Sequence, residues 1–374
     1  MEKVKFGIIG FGNIGSLHAK NLLSGKIENG VLTAVCDIDS EKLETFKKLD
    51  GSEKVALFSD YTQMYKSGLI DAVIVAVPHY SHPKMTIDAF HAGIHAITEK
   101  PAGVYTKQVK EMNDEAERAN VLFSIMFNQR TNCVYRKMRE MVHDGTIGEV
   151  KRVNWIITNW YRPQSYYDSG TWRATWKDEG GGVLFNQCPH QLDLLQWILG
   201  TLPSSVRSFC HFGKWHDIEV EDDVTVYMEF PNGATGVFVT STADCPGTNR
   251  FEILGDKGKL VVENNTLTAT LLEMSEREFN ATHTLPHGEP KSYVANIELD
   301  GKNEQHAGVL NNFANAILGL EPLFIDGREG INEVELMDSM LLSTWLDKTV
   351  TLPIDDDAYL EQLNRRIEES KKRK

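Results

Sequence analysis

The segment GFGNIG at residues 10–15 separates two stretches of different periodicity. Residues 3–9, KVKFGII, are apolar and β-rich, whereas SLHAKNLL at 16–23 spaces its apolar residues as a helix does. A glycine pattern of this kind between a strand and a helix is the context in which a turn holds a dinucleotide. Gly10 permits the tight turn, Gly12 lets a pyrophosphate reach the backbone, and Gly15 lets the helix pack close to the strand. The helix then opens on unpaired N–H groups around Asn13 and Ile14, which favour phosphate. A chain that begins this way is constrained to start with a strand–turn–helix unit of a doubly wound sheet.

A second apolar run, VLTAVCD, ends at Asp37, 22 residues after Gly15. An acid at about that distance holds the adenosine ribose hydroxyls. The next residues are IDSEKLE, without an arginine, so Asp37, Asp39 and Glu41 repel a 2′-phosphate. The expected cofactor is NAD rather than NADP.

The alternation continues through DAVIVAV (71–77), a helix over 81–92, a short strand over 94–98, a helix over 105–118 and a strand over 121–127. This predicts an α/β Rossmann domain with a doubly wound parallel sheet over residues 1–127. Ligands of such sheets sit at the carboxyl ends of the strands. Those ends here carry the glycine turn, Asp37, Pro78-His79, Glu99-Lys100-Pro101 and Asn128. Lys100 is a donor for a substrate hydroxyl or alkoxide. The proline after it restricts it to extended backbone and admits a cis peptide.

The rest of the composition mainly excludes. Net charge is −14 and the only basic cluster is the terminal SKKRK, which argues against nucleic acid and anionic membrane surfaces. No apolar run approaches the roughly 18 residues of a spanning helix, and the first residues carry no signal-peptide pattern. Five cysteines without zinc or CxxC spacing read as free thiols of a cytoplasmic protein. No set of ligands has metal-binding spacing.

Residues 10–22 (GFGNIGSLHAKNL), 76–103 (AVPHYSHPKMTIDAFHAGIHAITEKPAG), 180–199 (GGGVLFNQCPHQLDLLQWIL) and the C-terminal NNFANAILGLEP…DGREGINEVELMDSMLLST resemble the Gfo/Idh/MocA oxidoreductases. The resemblance spans nearly the whole chain. It implies a C-terminal α+β domain, residues 128–374, with a large open-faced, mainly antiparallel sheet often used for oligomerisation, as a homodimer or homotetramer. It implies NAD(P)-linked chemistry on sugars, inositols and related polyols. It makes Lys100 a catalytic lysine and His190 the acid/base, with Lys100 across the site stabilising the alkoxide. It places His79 and His82, with Glu99, Lys100 and Asn128, along the cofactor.

The strand patterns over 149–160, 206–211, 223–231, 234–242, 250–254 and 259–262, with turns at PNG and GDKG, fit that sheet. Between the first two lies GGGVLFNQCPHQLDLLQWIL. Asn186, His190 and Asp193 are spaced four and three apart, so a helix starting near Asn186 puts them on one face. The glycines are expected to bring the backbone against nicotinamide or substrate. Histidine titrates near neutral pH and suits removal of a hydroxyl proton while hydride leaves. Asn186 departs from the family's commoner aspartate; it orients a hydroxyl or an imidazole but carries no proton. Upstream, Trp172 and Arg173 of TWRATW, with Arg162 and Tyr161, Tyr166 and Tyr167, offer aromatic faces and cations to a sugar, a carboxylate or the cofactor. The expected activity is an NAD-dependent dehydrogenase acting on a CH–OH group. An NAD-dependent glycosidase or a sugar/NAD-sensing regulator are the alternatives.

Overall fold

The computed structural model describes residues 3–373. The chain divides into two compact units: the stretch up to Thr131 with Glu304–Val334, and Asn132–Asn303 with the stretch from Glu335 onward. The sequence reading gave everything after 127 to the second domain. Glu304–Val334 instead packs with the first unit, for reasons that lie in its side chains. Phe313 lies against Phe6 with ring centroids 6.4 Å apart. Asn311 and Asn315 bond the 26–29 loop, Ser124 donates to the Ile325 carbonyl, and buried Arg130 pairs with Glu329 at 2.7 Å.

The first unit is a six-stranded parallel sheet: β1 (Val4–Ile9), β2 (Gly30–Cys36), β3 (Ala56–Phe58), β4 (Ala72–Val75), β5 (His95–Thr98) and β6 (Phe123–Ile125), in the order β3-β2-β1-β4-β5-β6. Its helices are α1 (Asn13–Leu23), α2 (Ser40–Phe46), α3 (Tyr61–Lys66), α4 (Ser81–His91) and α5 (Thr106–Arg118). All four residues of β4 are buried, as an inner strand covered on both faces must be. The strand order reverses between β1 and β4, and Ile9 is level with both Cys36 and Val75. The three strands therefore end together, at the switch point where α/β sheets bind ligands.

The second unit opens with α6 (Cys133–His143), β7 (Val150–Ile157), α7 (Gln164–Tyr167), α8 (Val183–Asn186) and α9 (Pro189–Leu199). Then come β8 (Ser205–Phe212), β9 (Glu221–Glu229), β10 (Thr235–Ser241), β11 (Asn249–Gly255), β12 (Gly258–Glu263), β13 (Thr266–Leu272), β14 (Ser292–Ala295) and β15 (Val350–Thr351). These form one sheet in the order β14-β13-β12-β11-β7-β10-β9-β8-β15. Only β10 and β7 pair in parallel; the other neighbours are antiparallel. Alternate residues bury one face. Trp155 stacks on Phe251 at 4.0 Å and meets Tyr135 of α6 at 6.2 Å. The register aligns Phe209, Thr225, Val239, Ile156 and Arg250 in a row on the other face. Phe209 is 51% exposed there, and Tyr227 in the adjacent row 43%.

Candidate functional site

In the first unit the glycine turn is dictated by contact. Gly10 has φ +90°, and a Cβ on it would lie 2.2 Å from the Ala76 carbonyl oxygen. A Cβ on Gly15 would lie 1.9 Å from the Gly10 carbonyl oxygen. Gly12 is different: a Cβ there would meet nothing within 4 Å, so no protein neighbour requires a glycine at that position. It also caps α1 without any side-chain hydrogen bond, leaving the first-turn N–H groups of Asn13 and Ile14 without a side-chain partner at Gly12. A bare backbone surface at a helix N-terminus fits the pyrophosphate of a dinucleotide.

Asp37, 5% exposed, follows β2. Its carboxylate accepts from the Phe11 N–H at 2.7 Å and the Asp39 N–H at 2.9 Å, so it also ties the glycine turn to β2. Two of its acceptor positions remain for hydroxyls. The sequence reading overlooked Lys42, whose Nζ lies 3.6 Å from this carboxylate. Ile38 beside it is 92% exposed, an apolar side chain that a flat base can cover.

The loop after β5 is held at every step. Glu99 is buried, and its Oε1 lies 2.7 Å from His18 Nε2 of α1. Burial alone would push the Glu99 carboxyl up, but the bond and charge of His18, with the charges of His306 and Lys100, hold it at about 2. Its Oε2 accepts the Lys100 N–H at 3.3 Å, and the Lys100–Pro101 peptide is cis. His82 reaches the Pro101 carbonyl through Nδ1 and the Val77 carbonyl through Nε2, both at 2.7 Å. The Ala102 N–H donates to Glu333 at 2.9 Å. Burial pushes the His82 pKa down, while the two carbonyls and Glu99 oppose it. His82 thus fastens the lysine loop from behind, and its two nitrogens are spent on carbonyls. His79 is buried with its ring 5.9 Å from that of His82.

Asn128, 3% exposed, follows β6; its amide donates to Gln305 and its Oδ1 is a buried acceptor without a partner. The sequence reading missed the returning segment here. His306 lies 5.6 Å from His18, ring to ring. Burial pushes its pKa down, joined by the charges of His18 and Lys100 against that of Glu99.

In the second unit the expected continuous helix is broken. α8 ends at Asn186, Gln187 and Cys188 intervene, and Pro189 starts α9 in a first-turn position, where its missing N–H costs no bond. Asn186 therefore does not share a helix face with His190. His190 and Asp193 do share α9; His190 is half-buried, while Asp193 is buried and accepts from Gln196 at 3.1 Å. The glycines have an internal reason of their own. A Cβ on Gly182 would lie 2.0 Å from the Glu221 carbonyl oxygen of β9, and one on Gly181 2.3 Å from the Phe185 ring. Glu221 Oε1 accepts from the Gly182 and Leu184 N–H groups at 2.8 and 3.0 Å, fixing the start of α8. Burial pushes the Glu221 carboxyl up to about 8 against those bonds, with the charge of Glu179 adding to the rise. Asp222 is spent as well, on the N–H groups of Lys214, Trp215 and His216.

Around Asn186 the chain assembles a polar network. Its amide donates to Glu179, and its Oδ1 accepts from Tyr166 Oη at 3.3 Å and Gln187 at 3.1 Å. Arg173 donates to Tyr166 Oη at 2.8 Å and lies over the rings of Tyr166 and Trp172 at 4.5 and 4.6 Å. The structure thus brings Trp172, Arg173 and Asn186 together with Tyr166, and adds Glu179 as a member that spacing did not reveal.

Among the described residues no group of three or more His, Cys, Asp or Glu side chains is arranged to hold a metal ion, and no helix is long and apolar enough to cross a membrane. All five cysteines are free thiols.

Comparison with known proteins follows the same division. Residues 4–127 match the family model of an oxidoreductase family with an NAD-binding Rossmann fold, and residues 135–261 match the GFO/IDH/MocA C-terminal domain. The chain is 26% identical over 334 residues to the myo-inositol 2-dehydrogenase of Thermotoga maritima, covering 87% of this chain and 92% of that one. It is 25% identical over 265 residues to the scyllo-inositol 2-dehydrogenase (NAD(+)) of Bacillus subtilis, covering 70% and 74%. The WlbA dehydrogenase of Bordetella pertussis, solved with NADH and UDP-GlcNAcA, superposes with a TM-score of 0.79 at 25% identity, over 95% of this chain and all (100%) of that one.

Proposed function

The chain belongs to the Gfo/Idh/MocA family of NAD-binding oxidoreductases, and we propose that it moves hydride between NAD and a secondary alcohol of a sugar, inositol or related polyol. One observation carries this reading. Half-buried Lys100 rides on a loop pinned on both sides by buried His18–Glu99, His82 and Glu333. A cation held so firmly at the end of a sheet strand is preorganised for a developing negative charge.

Bound NAD supplies the hydride acceptor. The backbone at Gly10, Gly12, Asn13 and Ile14 receives its pyrophosphate, Asp37 its ribose hydroxyls, and Ile38 its adenine. Pro78, His79 and the unpartnered Oδ1 of Asn128 face the cofactor from the neighbouring strand ends, while His82 and Glu99 hold Lys100 in place. Lys100 donates to the substrate oxygen as it becomes an alkoxide, and His190 takes the hydroxyl proton. Asn186, Trp172 and Arg173 orient the substrate. We further propose that the exposed Phe209, Tyr227 and Ile156 of the open sheet face are covered by a second copy of the chain, in a dimer or a dimer of dimers.

Incubating the protein with NAD and a panel of sugars and inositols, and following reduced cofactor by absorbance, tests this reading. Reduction with one member of the panel, lost in Lys100→Ala, is the expected result. Cleavage of a chromogenic glycoside without net reduction would instead assign the NAD-dependent glycosidase reaction. Tight NAD and sugar binding without turnover would assign a sensor.

A further inference from the structure

Arginines in this acidic chain are mostly matched to carboxylates: Arg118, Arg130, Arg136, Arg207, Arg250 and Arg277 are examples. Arg162 and Arg173 are not. Neither has a carboxylate partner among the described residues, yet both guanidinium groups lie over the ring of Tyr166, at 5.1 and 4.5 Å from its centroid. They are therefore no more than roughly 10 Å apart, where two like charges at a protein surface repel by more than a kcal/mol. Cation–π contact with Tyr166, Trp160 and Trp172 offsets part of that repulsion. It satisfies no N–H group, and the Nε–H of Arg162 is buried without an acceptor.

The backbone around Arg173 adds a second observation. Ala174, a residue with a Cβ, has φ +53°, and its N–H is held at 2.5 Å by the buried carboxylate of Glu179. Left-handed backbone at such a residue is maintained against a cost and clusters at ligand sites. The same Glu179 accepts the amide of Asn186, and Tyr166 connects Asn186 to Arg173. The arginine pair is thus wired to the proposed substrate-orienting residue, while Arg162, Tyr166, Arg173 and Asn186 all remain half-buried and open to a ligand.

We propose that the substrate is an anionic sugar, whose carboxylate or phosphoryl oxygens are bound by Arg162 and Arg173 beside Tyr166. Both groups present the paired oxygens that a guanidinium fork matches. This inference rests on the polyol dehydrogenase reading and narrows its substrate class.

The test measures binding by calorimetry for matched triplets, each a neutral hexose with its uronate and its 6-phosphate, alongside NAD reduction for the same compounds. A uronate or a phosphate binding at least about tenfold tighter than its parent hexose is expected, the size of a charge-assisted bond. Which of the two does so identifies the source of the anion. Arg162→Gln and Arg173→Gln should each erase most of that preference, Arg173→Lys should keep part of it, and Arg277→Gln, paired with Glu149 elsewhere, should leave it intact. Parent hexoses binding as tightly as both acids overturns the proposal. So do arginine variants that lower the melting temperature while the preference persists, which would make the pair a structural stack. If an acid binds through the arginines but no compound reduces NAD, the anion site stands and the dehydrogenase reading fails. If neutral polyols reduce NAD and the arginine variants discriminate nothing, the reverse holds.

Discussion

Asn186 donates its side-chain amide to the carboxylate of Glu179, which is 2% exposed. The family's commoner residue at the first of these positions is an aspartate, so the carboxylate missing from 186 is supplied seven residues earlier. Restoring aspartate would set a half-buried carboxylate beside the buried one of Glu179, and one would have to hold a proton. Asn186→Asp should therefore lose kcat/KM and melting temperature at pH 8 and regain part of both near pH 5.5. Glu179→Gln leaves one acceptor oxygen where Asn186 and the strained Ala174 N–H now use two, and should lower kcat/KM by roughly 10-fold to 100-fold. A pH series of melting temperatures and rates on both variants checks this; an Asn186→Asp enzyme that is faster at high pH counts against it.

Lys100→Ala and His190→Ala should each reduce turnover by roughly 10²–10⁴, the range for losing charge stabilisation or a proton acceptor. NAD affinity should hardly change, because the proposed dinucleotide contacts lie at the glycine turn and Asp37. The double variant should fall short of the product of the singles, since both serve one proton transfer. Steady-state rates with NAD titration by fluorescence decide it. Near-normal turnover in His190→Ala would shift the base to another group, with Tyr166 next in line.

NAD should bind at least roughly tenfold tighter than NADP, about 1.4 kcal/mol. On this reading Asp37 meets the 2′ position, and Lys42 at 3.6 Å already has Asp37 as its partner. Asp37→Ala should weaken NAD and also loosen the turn, because the Phe11 N–H loses its acceptor. Titration of both cofactors against both proteins is the measurement.

Glu221 gives the protein a dependence on pH unrelated to catalysis. Its folded-state value is raised from 4.5 to about 8 by burial. The folded chain holds that proton where the unfolded chain has released it, so the stabilisation is whole below about 4.5 and is lost as pH rises through 8, on the order of 5 kcal/mol at most. Glu221→Gln keeps an acceptor for the Gly182 and Leu184 N–H groups and has no proton to lose. Its denaturation midpoint should be flatter between pH 5 and 8 than that of the wild type, with the gap widest at pH 8.

The open sheet face predicts association. Sedimentation at micromolar concentration should give a dimer or tetramer, and Phe209→Glu with Ile156→Lys should shift it towards monomer.

Much of the first unit was legible because its signals are local: a glycine turn bounded by a strand and a helix, an acid at a fixed distance, a lysine at a strand end. β3 was not, since an apolar run of only three residues is too short to read as a strand. The break between α8 and α9 was hidden by apolar residues that continue through it. It falls just before Pro189, which opens α9, while the start of α8 is set by Glu221, a residue of β9 that spacing along the chain does not bring near. Glu179 and His306 escaped for a related reason. The first reads as a charge in a loop, and the second lies far from any motif until the chain folds back.

That fold-back sets an order of events during synthesis. The first unit lacks Phe313 against Phe6, and Glu329 against buried Arg130, until residues 304–334 have emerged. At ribosomal rates of about 5–20 residues per second, roughly 170 intervening residues impose a wait of about ten to thirty seconds. The nucleotide-binding unit is translated first and completed late, so a chain cut after Thr131 would leave the Phe6 ring without its cover and a buried guanidinium without its counter-ion.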